Sequence, residues 1–177
     1  IRRCFMRGTV SGTFNVGGLV GNAEYGALIE DSYALADVEA ETSVCGGLVG
    51  FVTQMSIDTS YAAGLVTAPS QAGGLVGENG GDVFVEGCYY DADLSGTPDN
   101  GLGVPKSTAQ MKTRSTYSGW DFEVVWAMSW NVNQGYPYLQ WEENFMETGG
   151  GGGGCSTGIP VPLFGLLLVP LALLSRK

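Results

Sequence analysis

A repeat with a period of 28 residues is the feature that most constrains the fold of this chain. The pentapeptide Gly-Gly-Leu-Val-Gly occurs three times, at 17–21, 46–50 and 73–77. A second element keeps a stricter period. It is a Ser or Cys followed by an aromatic residue, and its four copies start 28 residues apart, at Cys4, Ser32, Ser60 and Cys88. Internal repetition of this kind is typical of proteins built from stacked units.

The residues between these columns favour short strands over helices. They form apolar runs of 3 to 5 residues separated by Gly, Asn, Asp and Ser, and no window keeps a 3.6-residue apolar period. A single repeat with three strands and three corners cannot bury its own apolar face, whereas stacked repeats can. The sequence therefore predicts an all-β fold, a right-handed parallel β-solenoid (β-helix) with about 28 residues per turn.

Two sets of repeated positions are expected to hold the stack together. The pentapeptide glycines are predicted to supply, at the corners of each turn, backbone angles that residues with a Cβ atom resist. The aromatic column is predicted to form a ladder along the axis. The structural positions are therefore Gly17, Gly18, Gly21, Gly46, Gly47, Gly50, Gly73, Gly74, Gly77, Tyr33, Tyr61 and Tyr89.

The period ends after residue 90, and residues 91–145 have a different character. Ser107 and Gln110 form a capping-box pattern, which predicts a short helix over 108–113. The same stretch holds all 4 Trp residues. Because the end of a solenoid exposes apolar groups, we expect residues 117–145 to form an aromatic cap over that end, with a sugar-stacking platform as the alternative.

The remaining residues have the composition of a tether and a membrane segment. Residues 146–154 form a Gly-rich linker. Within 155–177, the nearly uninterrupted apolar run 159–174 predicts a C-terminal apolar helix, which is short for a bilayer span. Two basic residues follow it at the end of the chain.

Composition excludes several classes of function. His is absent from the 177 residues. This excludes nucleophilic centres that use a His base and zinc sites of the HExxH type. The net charge of −10 argues against nucleic acid as a partner. Between Gly8 and Pro105 there are 13 acidic residues and no Lys or Arg. We interpret this stretch as a solvated surface, with weak binding of divalent cations or basic partners as the alternative.

The repeats resemble the GLUG-motif repeats of bacterial surface proteins. The resemblance rests on the repeated pentapeptide, on Ser-Tyr-Ala at 32–34 and 60–62, and on the run from Tyr89 to Leu139 that includes Gly-Tyr-Pro-Tyr-Leu. The tail resembles the C-terminal tripartite sorting signals of diderm bacteria and is closest to the Synergist-CTERM type. That resemblance implies cleavage by a sorting protease at the membrane near Gly154 and Cys155, with lipid attachment at Cys155. An incidental cysteine is the alternative.

The other three cysteines are expected to be small buried apolar residues without a disulfide. Cys4 and Cys88 occupy one column but lie three turns apart, which is too far for a disulfide bond. Cys45 occupies a column shared with Val16 and Ala72.

One acidic segment partly matches a calcium-binding loop, with oxygen ligands at Asp91, Asp93, Ser95 and Asp99. Leu102 stands where the loop needs a bidentate Glu, so we favour a solvated turn and keep calcium as the alternative. No other cofactor is expected.

These observations favour an exported cell-surface repeat protein, a structural or adhesive module, without enzymatic activity. Its expected partners are the sorting protease, the membrane through the C-terminal helix, and a ligand on a host or neighbouring cell. The expected location is the cell surface or outer membrane of a diderm bacterium, or the medium after processing. The alternatives are a non-catalytic stalk and a polysaccharide-acting β-helix enzyme with a carboxylate pair drawn from Asp31, Asp37, Asp58 and Glu86.

Overall fold

The computed structural model describes residues 1–143 and 152–156. Three stacked turns of about 28 residues form a β-solenoid, as the repeat predicts. The first turn contains β1 (Cys4–Gly12), β2 (Val16–Gly17), β3 (Val20–Glu24) and β4 (Leu28–Glu30). The second contains β5 (Tyr33–Ala40), β6 (Cys45–Gly46), β7 (Val49–Thr53) and β8 (Met55–Asp58). The third contains β9 (Tyr61–Ala63), β10 (Val66–Thr67), β11 (Ala72–Gly73), β12 (Val76–Asn79) and β13 (Val83–Glu86).

Each turn contributes to four parallel sheets rather than to the three expected from the repeat length. One of them, called here the aromatic sheet, contains β1, β5 and β9. The other three are β2–β6–β11, β3–β7–β12 and β4–β8–β13. Equivalent residues face one another from turn to turn, so the predicted ladder is confirmed. Phe5, Tyr33, Tyr61 and Tyr89 occupy successive rungs.

The chain then leaves the solenoid through short elements. These are β14 (Tyr89–Asp91), α1 (Ala92–Ser95), β15 (Val104–Lys106), α2 (Thr108–Met111), a 3₁₀ helix (Arg114–Thr116), β16 (Trp126–Ala127), a second 3₁₀ helix (Asn133–Gly135), β17 (Tyr138–Leu139) and β18 (Gly153–Cys155). Helix α2 has the capping box of Ser107 and Gln110 that the sequence predicts, and it ends at Met111.

The pentapeptide glycines are required for space, and not for the backbone angles that we expected. None of the nine has a positive φ. A Cβ atom at Gly46 would lie 2.5 Å from the backbone nitrogen of Gly77 in the next turn, and one at Gly17 would lie 2.6 Å from that of Gly50. The turns approach one another so closely at these corners that only hydrogen fits.

The Ser/Cys column joins the turns by hydrogen bonds. Ser60 Oγ accepts from the Ser32 backbone N–H at 3.2 Å and donates to the Asp58 carbonyl oxygen at 2.7 Å. Ser32 repeats the arrangement, accepting from the Cys4 N–H at 3.1 Å. Both serines are fully buried. The hydroxyls therefore satisfy buried backbone groups that the sheet itself leaves unpaired.

The aromatic sheet has an apolar cluster on each face. Ala34 and Ala62 point into the narrow solenoid interior, with Leu48, Ile57 and Leu75 among their neighbours. The aromatic ladder points outward, because side chains alternate along a strand. The C-terminal aromatic residues pack on this outer face. The expected position of the aromatic cap, over the end of the solenoid, is therefore wrong.

Residues that follow the third turn cover the end of the solenoid instead. Tyr90 is buried in the interior cluster, with its ring against Gly74. Strand β15 adds a further rung beside β14, and the Asn100 side chain donates to the Val76 carbonyl oxygen at 2.8 Å.

The first rung is covered by the C-terminal end of the described chain. Strand β18 pairs antiparallel with β1, and Cys155 forms a disulfide with Cys4. Our expectation that Cys4 has no disulfide is wrong. Only the cysteines within the stack were considered as partners, whereas Cys155, the partner of Cys4, lies 151 residues away in the sequence. Cys45 and Cys88 are buried free thiols, as expected.

Candidate functional site

The aromatic ladder and residues 108–142, called here the packed segment or C-terminal segment, form the largest buried cluster on the outside of the solenoid among the described residues. The Tyr33 ring stacks on Tyr61 with 5.0 Å between ring centroids, and on Phe5 at 5.5 Å. Trp126 is fully buried against both tyrosines, at 6.2 and 6.1 Å. Stacked and tilted rings at these distances attract one another beyond their burial. The segment is therefore fixed rigidly to the sheet.

A buried ion pair lies at one edge of this assembly. The Arg7 guanidinium on β1 pairs with the Glu142 carboxylate, which is fully buried. Tyr33 Oη donates to the same carboxylate at 2.8 Å, and the Leu139 backbone N–H donates to its other oxygen at 2.8 Å. The Asn133 amide donates to Tyr33 Oη at 2.9 Å. Three donors thus meet at the Glu142 carboxylate, and Asn133 adds a hydrogen bond to one of them, the Tyr33 phenol.

Burial dominates the electrostatics of this network. It raises the pKa of Glu142, although the Leu139 N–H, Arg7 and Tyr33 oppose the rise. Burial also raises the pKa of Tyr33, and the negative charge of Glu142 adds to the effect. The phenol therefore stays protonated and acts as a donor at physiological pH.

A cleft opens beside the network, between the aromatic sheet and the packed segment, and is called here the Arg7–Lys112 cleft. Its volume is about 460 Å³, within the range of ligand sites. Leu35, Ala36 and Ala63 of the sheet line it together with polar groups of the C-terminal segment. The polar and charged lining residues are Arg7, Asp37, Thr108, Lys112, Asn133, Gln134 and Tyr136.

A second cavity of about 220 Å³, called here the Trp130 groove, shares Lys112 with the cleft. Arg114, Ser129 and Trp130 also line it. The Trp130 side chain is 78% exposed, so its ring is open to solvent. A Cβ atom at Gly135 would lie 3.1 Å from the Trp130 ring and 3.6 Å from Lys112 Cδ, which places the indole beside the lysine stem.

Two of the three basic residues around these cavities, Lys112 and Arg114, lie over aromatic rings and form no ion pair among the described residues. Lys112 lies 4.7 Å from the Tyr136 ring centroid, and Arg114 lies 4.7 Å from that of Phe122. Within residues 1–143 and 152–156, neither forms a salt bridge. The Arg7 Nε is buried and has no hydrogen-bond partner there. Positive charge is thus available in a protein with a net charge of −10.

The turn that separates the two cavities has an unusual backbone. Asn133 and Gln134 both have positive φ, 48° and 55°, and Gly135 continues with 92°. Left-handed angles cost free energy in residues with a Cβ atom. Seven other non-Gly residues of the described chain have positive φ, among them Asn15, Gln54 and Thr59, so these angles do not by themselves mark a functional site.

The four residues considered as alternative calcium ligands serve as hydrogen-bond acceptors within the protein. Asp91 is fully buried, caps α1 through the Asp93 and Leu94 backbone N–H groups, and accepts from Tyr136 Oη at 2.6 Å. Asp93 accepts from the Thr108 N–H at 2.9 Å, and Asp99 accepts from that of Gly101. Ser95 accepts from the Thr97 N–H at 3.4 Å. No group of three or more potential metal ligands occurs among the described residues.

The four candidate carboxylates lie on two surfaces, and two of them, Asp58 and Glu86, line one cavity of about 370 Å³. Asp58 and Glu86 face each other on neighbouring rungs, and burial followed by the charge of Glu86 raises the pKa of Asp58. Asp31 accepts from Thr59 Oγ1 at 2.7 Å. Asp37 lies on the aromatic sheet, where it accepts from the Leu65 N–H.

The two residues of the predicted processing site lie in β18. Gly154 is opposite Phe5, and Cys155 is bonded to Cys4. A disulfide and a lipid thioether would use the same sulfur, so the two states of Cys155 exclude each other. The predicted apolar helix of 159–174 lies outside the described residues. In the part that the structure describes, no helix is long and apolar enough to cross a membrane.

The basic residues around the two cavities were missed by sequence reasoning. Arg7 and Lys112 belong to no repeat column or motif, and Trp130 is expected only as part of the aromatic cap or of the alternative sugar-stacking platform. One pattern could have indicated the outer face. Alanines alternate with the tyrosines in Tyr33-Ala34 and Tyr61-Ala62, and only the small residues fit next to the glycine corners inside a narrow solenoid.

Comparison with known proteins agrees with this architecture. The family model of the GLUG motif matches residues 12–39, a length of one turn. A protein of Evansella cellulosilytica described as a Gly-rich membrane protein is 37% identical over an alignment of 119 residues that covers 62% of this chain. The chain spans about 13% of the length of that relative. No solved structure matches with statistical significance. The GLUG motif at 12–39 thus corresponds to one turn of the β-solenoid.

Proposed function

We propose that this chain is an exported module of the bacterial cell surface, structural or adhesive, and that it does not catalyse a reaction. The observation that carries the proposal is the in-register stack of GLUG-type turns, which forms a rigid body from short strands. The relative described as a membrane protein supports a place in the cell envelope. The acidic surface of residues 8–105 favours solubility outside the cell.

The proposed attachment uses the C-terminal tail. Its Gly-rich linker, the Gly154–Cys155 junction, the apolar run and the terminal basic residues have the order of a tripartite sorting signal. A membrane protease would cleave near this junction, and the basic end would stay cytoplasmic before cleavage. The expected location is the surface or outer membrane of a diderm bacterium, with secretion after processing as the alternative.

A non-catalytic stalk is the second candidate function. The chain spans only about 13% of the length of the relative. A small module within a much longer protein can serve to separate a larger domain from the membrane. The enzyme alternative has weaker support, which is limited to Asp58 and Glu86 at one cavity, since Asp37 lies apart on the aromatic sheet.

Surface display is tested by expressing the epitope-tagged chain in a diderm host that has sorting proteases of this class. Intact cells are treated with external protease, and membrane and medium fractions are compared. Digestion of the tag on intact cells supports display. A tag that is protected until the cells are broken contradicts it.

The role of Cys155 is tested with a matched pair of variants, Cys155→Ser and Cys4→Ser. Both remove the disulfide, but only Cys155→Ser removes a lipid-attachment sulfur. If Cys155 carries lipid, Cys155→Ser releases the chain from membranes and Cys4→Ser leaves it retained with the same mature mass. Equal behaviour of the two variants would contradict lipid attachment.

A further inference from the structure

We propose that the Arg7–Lys112 cleft and the Trp130 groove together bind an acidic oligosaccharide, a chain of sugars that carry carboxylate groups. The inference deepens the proposed function by naming the ligand class of the adhesive module, and it rests on that function for its biological setting. It uses the two cavities described above, which lie on either side of the 133–135 turn and share Lys112.

Charge is the first argument. Three basic residues, Arg7, Lys112 and Arg114, line the two cavities, against the single carboxylate of Asp37. Arg7 is partly neutralised by Glu142, whereas Lys112 and Arg114 lie over aromatic rings and form no salt bridge in the part of the chain that the structure describes. A local excess of positive charge in an otherwise acidic protein attracts an anion and orients it. The ligand is therefore expected to be negatively charged.

Shape and polarity are the second argument. The cleft has an apolar floor formed by Leu35, Ala36 and Ala63, and the groove offers the open ring of Trp130. Sugar rings have one apolar face and a rim of hydroxyl groups, so they pack on such surfaces and still need polar partners. Gln134 and Thr108 supply polar groups at the rim.

Rigidity is the third argument. The Trp130 groove and the cleft are separated by the turn of positive-φ residues, whose Asn133 side chain is held by Tyr33 Oη and by the Pro137 carbonyl oxygen. The packed segment that carries them is fixed by the buried Trp126. A site that is already ordered loses less entropy on binding. The aromatic stacking surface favours an acidic sugar chain over an acidic peptide. An acidic peptide would contact the basic residues but would not need that surface.

The test is isothermal titration of the 177-residue chain with hexagalacturonate, at low salt and then with added sodium chloride. Maltohexaose, which is neutral, and hexaglutamate, which is acidic but not a sugar, are the comparison ligands. We expect hexagalacturonate to bind at least tenfold more tightly than either, and we expect its affinity to fall as salt rises.

Variants with matched controls locate the site. Lys112→Gln is compared with Lys106→Gln, because Lys106 also lies near a tyrosine ring, that of Tyr89, but lines neither cavity. Trp130→Ala is compared with Phe84→Ala, since Phe84 is 74% exposed and lies on another sheet. Each change in the site is expected to weaken binding about tenfold, the size of one lost charged hydrogen bond or aromatic contact, whereas the controls change it less than twofold.

Several results would overturn the proposal: no binding of hexagalacturonate, equal binding of either comparison ligand, or equal loss in Lys106→Gln and Lys112→Gln. Near-ultraviolet circular dichroism of each variant shows whether the aromatic assembly is intact, so a folding defect is not mistaken for a lost contact. Failure here would leave the surface-display experiment unaffected, because that experiment measures location and not ligand binding.

Discussion

Single residues connect the turns of this solenoid through backbone groups. The Ser32 and Ser60 hydroxyls each accept from the backbone of the preceding turn and donate within their own turn. The pentapeptide glycines act in the opposite way, since they contribute by having no side chain at all. Both effects depend on buried backbone, so they are sensitive to the loss or gain of one atom.

Ser60→Ala should destabilise the protein by about 1–3 kcal/mol, because the Ser32 N–H loses its acceptor in a buried position. Ser60→Cys should cost less, since Cys88 already donates to the Glu86 carbonyl oxygen from the equivalent position. Urea unfolding measures both. The exposed Ser115→Ala is the control and should lie within about 0.5 kcal/mol of the unmodified chain. Equal stabilities of Ser60→Ala and the control would contradict the bridging role.

Gly46→Ala should destabilise the protein by about 1–3 kcal/mol or more, because the added methyl group meets backbone that cannot rotate away. Gly26 is the contrasting position, with a φ of +76° and open space around it. Gly26→Ala should therefore cost only the left-handed backbone, about 1 kcal/mol. Asn should be tolerated at Gly26 and not at Gly46. Thermal unfolding of the four variants tests the distinction, which fails if Gly46→Asn is as stable as Gly26→Asn.

At the scale of elements, one short strand closes the first turn. Strand β18 pairs with only the first three residues of β1, from Cys4 to Met6. Such a short antiparallel pairing is marginal by itself. The Cys4–Cys155 disulfide holds it in register.

The oxidised chain should contain two reactive thiols after denaturation and four after reduction. In the native protein both remaining thiols should react slowly, because burial raises the pKa of Cys45 to about 11 and that of Cys88 to about 12. Mass spectrometry after iodoacetamide treatment measures this count. Cys4→Ser should lower stability by about 2–4 kcal/mol, whereas Cys45→Ala should keep the disulfide. Four thiols in the oxidised, denatured chain would refute the bond.

At the scale of the molecule, the aromatic sheet divides two apolar clusters, one inside the solenoid and one outside. The Arg7–Glu142 pair joins the first turn to the C-terminal segment across the outer cluster. Because these contacts connect distant parts of the chain, the titration of one buried carboxyl should influence the stability of the whole.

Stability should fall as pH rises through the raised pKa of Glu142. Between the usual pKa of a Glu near 4.5 and the higher folded value, the native state keeps a proton that the unfolded chain releases. The side chain of the Glu142→Gln variant cannot titrate. The melting temperature of this variant minus that of the unmodified chain should therefore increase from pH 4.5 towards pH 7. Exposed Glu143→Gln is the control. A parallel pH dependence of Glu142→Gln and the unmodified chain would contradict the burial effect.

The sequence by itself determined the period, the strand character, the register and the short capped helix, because each follows from local chemistry repeated at a fixed interval. Period-2 alternation does not say which face of a strand is inside when both faces are apolar, so only the tertiary structure placed the tyrosines outside and the alanines inside. It also decided the Cys4–Cys155 bond and the cavities around Lys112 and Trp130. These depend on contacts between residues far apart in the chain, for which a repeat pattern contains no information.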